Sequence, residues 1–334
     1  MEDPPQDLTV ADLGEQQLLQ RLYRFCAAEM VGDDGAVLTP QGDHLLVVTT
    51  DMLVEGVHFS DRTTSPEDIG WRSAAANLSD LAAMGASPLG LTLSLGLPAT
   101  QSIHWLESLY TGMADCLRTY QTAIIGGDLC QAPLTVLSIT AVGELLPHHQ
   151  ILRSTAQPGD AIVISGPHGM ARAGLESLLN PSWDHRLTPD QRLAYRQAHQ
   201  RPEPRLDLLP YLRQLCPTRV TGMDSSDGLA DAILQICRAS QVGAILNQDL
   251  ISLAGLAQSS LSPAQQLEWV LYGGEDFELV LCLPPSPAQQ LVQALGQGAA
   301  IVGHTTETQW VGLIDAEGNR QPLEIDQGFQ HFRQ

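Results

Sequence analysis

Two α/β domains in one chain are what the sequence predicts, and three observations lead there. The chain has 334 residues, room for about two domains at the usual ~150 residues each. Strand-like and helix-like apolar patterns alternate along it, as in layered α/β folds. That alternation pauses once, at LPHHQILRSTAQPGD (146–160), so the expected division is 1–147 and 148–334.

The elements follow in order. DLGEQQLLQRLYRFCAAEM (12–30) spaces Leu18, Leu22, Phe25 and Cys26 as one helical face. HLLVVTTD (44–51) is β-branched and reads as a buried strand. PEDIGWRSAAANLSDLAAMG (66–85) is an Ala-rich helix stopped by Gly85, with Pro88 just beyond. Strand LGLTLSLGL (89–97), helix 102–120, strand and turn TAIIGGD (122–128) and strand LTVLSITAVGEL (134–145) complete the first half.

The second half restarts with strand DAIVISG (160–166) and a helix after PHG. AHQRPEPR (198–205) is too rich in Pro and Arg for regular structure. Strand RVTGMD then leads into helix 228–240, and VGAIL, FELVLCL and AAIVGH are further strands with a helix between. No internal repeat or low-complexity linker interrupts the series.

Composition narrows the chemistry. A 43% apolar and 16% charged chain is globular, not disordered. No apolar run reaches the ~18 residues of a membrane span, and MEDPPQDL is acidic where a signal peptide is basic, so a cytoplasmic location is expected. Six scattered cysteines, none in a CxxC pair, read as reduced core residues. A net charge of −21 argues against nucleic-acid binding, because no basic stripe is available to displace counterions. All 17 cations are Arg. Without a lysine the Walker A loop, the protein-kinase strand lysine and a pyridoxal Schiff base are all excluded.

The carboxylates fall where α/β proteins place chemistry, at strand ends and turns. Asp51 ends LLVVTTD, Asp128 follows IIGG, Asp224 ends VTGMD, and Glu275 and Asp276 occupy GGED. Any one of these acids could be an ordinary turn former. In the Ala-rich helix, Ser73, Asn77, Asp80 and Met84 share a narrow polar stripe. That stripe either faces water or is buried, and a buried Asp80 needs a partner such as a metal. In DSSDGL, Ser226 or Asp227 could simply cap the following helix. Capping leaves Asp224 unexplained, whereas a helix N-terminus flanked by acids suits a phosphate with its Mg2+. Asp33 and Asp34 sit side by side in VGDDGAVL, a turn by composition. With Asp34 the set is all-oxygen, which favours Mg2+ over zinc. Among the histidines only His58, shortly after Thr50 and Asp51, stands out.

GDDGA, TTDMLVEGVHF, NLSDLAAMGASP, IGGD, LRSTAQPGD, RPEPR, DSSDGL and YGGEDFEL occur in this order, from about residue 12 to the C-terminal GFQHF. Together they resemble the thiamine-monophosphate kinases, in the superfamily of aminoimidazole ribonucleotide synthetase. The resemblance implies a two-domain α/β (α+β) fold, a homodimer paired through the N-terminal sheets, and a nucleotide cleft between the domains. It implies transfer from ATP to thiamine monophosphate. It also implies roles: Asp34, Thr49, Thr50, Asp51, Asp80, Asp128 and Asp224 as Mg2+ ligands, with Asp227 on a further ion. Tyr110, Gly127, Asp128, Arg153 and Ser226 would contact nucleotide, and His58, Glu275 and Phe329 the thiamine phosphate. Three positions depart from the family: Gly35 for Ala or Cys, Leu129 for Thr, and Phe329 for Tyr or Trp.

On this reading several Mg2+ ions held by aspartates replace a phosphate-binding lysine, and Arg153 adds a guanidinium fork. The acceptor phosphate is already an anion at neutral pH, so no side chain is expected to act as general base. Two alternatives stand beside it. One is another ATP-dependent enzyme of the superfamily; the reactive Cys with Lys of the selenophosphate synthetases and the C-terminal Cys of the hydrogenase maturation enzyme are both absent. The other is an acidic metal-binding scaffold, which would have no need of His58, Arg153 and Glu275.

Overall fold

The computed structural model describes residues 8–31, 36–216, 219–251, 255–256, 260–296 and 298–328. The chain divides into two compact units, Met1–Leu81 with Ser87–Glu144, and Ala82–Ala86 with Leu145–Gln334.

The N-terminal unit begins with α1 (Val10–Leu22), shorter than the pattern suggested. A single turn, Tyr23–Phe25, follows, and Cys26 then bridges to Ile124 as a strand residue, which ends the helix. Next come β1 (Leu45–Val54), α2 (Pro66–Ala83), β2 (Ser87–Leu97), α3 (Ile103–Thr119), β3 (Ile124–Gln131) and β4 (Val136–Leu145). The sheet order is β1-β4-β2-β3, with β2 antiparallel to β4 and parallel to β3. IGGD is therefore strand, not turn, because pairing with β2 continues to Gln131.

Alternation sorts the two faces of this sheet. Leu91, Leu93 and Leu95 of β2 and Leu137, Ile139 and Ala141 of β4 are buried, as are Leu78 and Leu81 of α2 and Leu109 and Met113 of α3. The two helices approach each other backbone to backbone. A Cβ on Gly70 would lie 1.9 Å from Leu109 O, and one on Gly112 1.8 Å from Glu67 O. Strand β1 was expected to be buried but is an edge strand, and its alternate residues Leu46, Val48 and Met52 are 50%, 64% and 58% exposed.

The C-terminal unit carries β5 (Ile151–Leu152), β6 (Ala161–Ile164), α4 (Met170–Leu179), α5 (Pro181–Asp184), α6 (Pro189–Gln200), α7 (Leu209–Leu215), β7 (Val220–Asp224) and α8 (Leu229–Ser240). These are followed by β8 (Gly243–Asn247), α9 (Pro263–Tyr272), β9 (Leu279–Leu283), α10 (Pro285–Leu295), β10 (Ala300–Thr306), β11 (Val311–Ile314) and β12 (Arg320–Pro322). Helix α6 runs three residues into the AHQRPEPR segment, so His199 is helical and irregular chain begins only at Arg201. Thr188 and Gln191 start α6 with a capping box, a signal that the Pro-containing surroundings concealed.

The eight strands order as β12-β11-β8-β10-β6-β9-β7-β5. Most neighbours are antiparallel; β5/β7 and β8/β11 are parallel. Strands β6, β7 and β9 are buried along their whole length, which explains their uninterrupted apolar runs. One layer of core contains Ile162, Ile164 and Val280 against Ile233 and Ile236 of α8. The other contains Val163, Leu279 and Leu281 against Leu208, Leu212 and Leu291.

Candidate active site

Both units carry expected site residues. Asp34 and Phe329 lie outside the described residues.

In the N-terminal unit, Thr49 of β1 and Asp80 of α2 meet: the Thr49 hydroxyl donates to Asp80 Oδ2 in a short hydrogen bond. The stripe around Asp80 does not face water, since Ser73 and Asn77 are fully buried. Asp51, two residues along β1, shares Thr49's face by strand alternation and is half-buried. Thr50 falls on the opposite face, where its hydroxyl donates to Ile139 O at 2.7 Å, so its side chain does not join the Thr49–Asp80 pair. Asp128 stands beside Ser94 in the β2/β3 register and is exposed. Gly127 precedes it where a Cβ would lie 2.3 Å from Leu93 O.

His58 closes the turn after β1. Its Nδ1 accepts the Val54 N–H at 3.0 Å, which leaves Nε2 to carry the proton of the neutral ring. Tyr110 is 5% exposed, with its ring 5.6 Å from that of Phe25. Burial holds its phenol well above the ordinary range, and nearby Cys26 adds to the effect. That makes Tyr110 a core residue of this unit.

In the C-terminal unit Asp224 ends β7 and is 3% exposed, while Ser226 is half-buried and Asp227 exposed. The residue that caps α8 is Gly228, at φ +109°, and no side chain supplies the cap. With glycine at the cap position, the start of α8 offers backbone N–H groups suited to an anion. Arg153, after β5, is exposed and donates to Gln235 Oε1 of α8 at 2.7 Å.

Glu275 projects from a turn before β9 and has Oε2 3.3 Å from His199 Nδ1; the two side chains are 36% and 3% exposed. Asp276, its neighbour, supports the same turn by accepting the N–H groups of Gly169 at 2.6 Å and Ala171 at 3.0 Å at the start of α4. Burial pushes the Asp276 carboxyl up to about 7; those two donors hold it back, and Glu278 and Glu275 add to the rise.

A buried polar lattice underlies this turn, and the sequence did not announce it. Ser165 and Arg205 both donate to Glu278 Oε2 in short contacts, and Arg205 also pairs with Asp207 at 3.0 Å. Burial raises the Glu278 carboxyl against the pull of Arg205. His168 lies 3.2 Å from Gly166 O and 3.0 Å from Ser225 Oγ, and burial pushes its imidazole down to about 4. RPEPR and YGGEDFEL contained the signal in Arg205 and Glu278, but nothing in either motif said that they pair.

Among the described residues no three His, Cys, Asp or Glu side chains converge into a group able to hold a metal. Mg2+ seldom uses such a cage; it is bound by one or two carboxylates together with substrate phosphates and retained waters. The all-oxygen pair of Thr49 and Asp80 fits that use.

Comparison with known proteins places this geometry in context. Residues 32–145 match the AIR synthase related protein, N-terminal domain, and residues 157–315 the corresponding C-terminal domain. A thiamine-monophosphate kinase of Synechococcus elongatus is 50% identical over 330 residues, 98% of each chain. The crystal structure of thiamine-monophosphate kinase from Stenotrophomonas maltophilia is 31% identical with a TM-score of 0.78, covering 92% of this chain and 98% of that one. AaThiL complexed with AMPPCP and TMP is 28% identical with a TM-score of 0.72, covering 94% and 96%.

Proposed function

This chain belongs to the AIR synthase related family as one of its thiamine-monophosphate kinases, and we infer from that premise how its residues serve ATP-dependent phosphorylation of thiamine monophosphate to thiamine diphosphate. Near full-length identity of 50% to a thiamine-monophosphate kinase carries the activity. The Thr49–Asp80 contact supports the metal reading.

The transfer is direct and in line, without a phospho-enzyme. Asp34, Thr49, Thr50, Asp51, Asp80, Asp128, Asp224 and Asp227 would hold Mg2+, with Thr50 offering its backbone, since its hydroxyl is committed to Ile139 O. When bound, Mg2+ neutralises charge on the phosphoryl oxygens, the function that a lysine serves in other kinases. Gly127, Asp128, Arg153 and Ser226 contact nucleotide; Tyr110, 5% exposed, joins them on the resemblance alone. The glycine-capped start of α8 gives phosphate oxygens backbone N–H donors. His58, Glu275 and Phe329 contact thiamine phosphate. No side chain acts as general base, because the acceptor oxygen is already anionic.

A homodimer is part of the proposal. Leu46, Val48 and Met52 form an exposed apolar stripe on an edge strand, of the kind a second copy covers. A cytoplasmic setting is likewise proposed; among the described residues no helix is long and apolar enough to cross a membrane. Incubation with MgATP and thiamine monophosphate should yield thiamine diphosphate, and Asp51→Asn should lose that yield. Undiminished turnover by Asp51→Asn would remove the metal reading.

A further inference from the structure

The turn that presents Glu275 is held in an uncommon backbone conformation. Gly274, Glu275 and Phe277 have φ of +67°, +60° and +53°, and two of these three carry side chains that the left-handed region disfavours. Distant parts of the chain fix it. The Glu275 N–H donates to Ser226 O at 2.7 Å. Asp276 grips the start of α4, and His199 of α6 stands beside the Glu275 carboxylate. Helix α4 links these last two points. A Cβ on Gly174 would lie 2.0 Å from Tyr195 O and 2.8 Å from His199 Cβ, so α6 is seated against the α4 backbone where His199 leaves it. The contacts close a circuit from Glu275 through Asp276, α4, α6 and His199 back to Glu275.

We propose that His199 is a positioning residue for thiamine phosphate, holding one oxygen of Glu275 so that the rest of its carboxylate meets the cationic thiazolium ring. The inference rests on the reading of Glu275 as a substrate contact. A carboxylate oxygen only accepts, so a hydrogen bond in this pair requires the proton on Nδ1. With 3% of its side chain exposed, His199 is shielded from ligand and acts through Glu275, of which 36% remains open. An anion already fixed in place binds a cation without first losing rotamer freedom, which is the advantage of a preorganised site.

Steady-state KM values for thiamine monophosphate and for ATP test this in the full chain. His199→Ala should raise the thiamine monophosphate KM about tenfold, the size of a lost bond to a charged group, with the ATP KM unmoved. His199→Asn, whose amide can stand where Nδ1–H stood, should recover most of the loss. Should the alanine variant not fold, His199→Gln displaces the donor by one methylene and should raise the same KM alone. Glu275→Gln separates the two layers of the argument. If it leaves the thiamine monophosphate KM unchanged, the substrate reading of Glu275 fails and the inference falls with it. If it raises that KM while the His199 variants do not, or if they move both KM values together or Asn gives no recovery, the inference alone is overturned.

Discussion

Replacing Asp276 and His168 one at a time should tilt the pH dependence of stability in opposite directions. Asp276 has its folded pKa raised from 3.8 to about 7, so between these values the folded chain keeps a proton that the unfolded chain has lost. Its contribution is complete below 3.8 and disappears as pH rises through 7. The span is at most (7 − 3.8) × ~1.4, or about 4 kcal/mol, an upper bound because the residue retains some solvent contact. His168 runs the other way. Its pKa drops from 6.5 to about 4, so its contribution is complete above 6.5 and is lost as pH falls through 4, a span of (6.5 − 4) × ~1.4, about 3 kcal/mol. In the native chain the two slopes nearly cancel. Asp276→Asn deletes the fall due to Asp276 and should gain stability relative to wild type as pH rises, whereas His168→Gln deletes the rise due to His168 and should lose it. Urea unfolding at steps between about pH 4.5 and 7.5, read as each variant's difference from wild type, removes the background of other carboxylates. Variant curves that run parallel to wild type would refute the burial argument for these two groups.

Four other substitutions address separate parts of the chain. Gly174→Ala should destabilise the C-terminal unit by about 1–3 kcal/mol in urea unfolding, since its Cβ meets the Tyr195 carbonyl at 2.0 Å. Thr49→Val should increase the Mg2+ concentration needed for half-maximal turnover several-fold, by removing the donor to Asp80. Activity assays should find Asp34→Asn inactive and Asp33→Asn only impaired, since Asp34 is assigned to metal whereas Asp33 is read as shaping the turn.

Regular elements with one-sided or fully buried patterns were legible in the sequence: α2, β2, α3, β6, α8 and β9 lie within two or three residues of their expected positions. The direction of strand pairing was not legible. An alternating series of strands and helices suggests parallel crossovers, yet most neighbours here are antiparallel, because register is decided by partners far away in the chain. Exposure of β1 was hidden for a related reason. HLLVVTTD has the composition of a central strand, and only the sheet order makes it an edge. In the candidate site, motifs marked the acids but could not sort Thr49 from Thr50, since which face each takes depends on where the strand begins pairing. The Arg205–Glu278 pair and the His199–Glu275 contact were beyond reach, because residues 73 and 76 positions apart carry no periodic signal.

The grip of Asp276 on Gly169 spans 107 residues, and the Ser165–Glu278 contact 113. Closing loops of that length is entropically unfavourable until strands β6, β7 and β9 have assembled around them. A turn with two side chains at positive φ has no local preference to form earlier. The turn should therefore be among the last parts of the C-terminal unit to become native and among the first to open. Substitutions in its supporting contacts should speed unfolding far more than they slow folding. The carboxylate assigned to the substrate would then sit on a late-folding segment, and occupancy by ligand would lengthen the lifetime of the folded chain as well as complete the site.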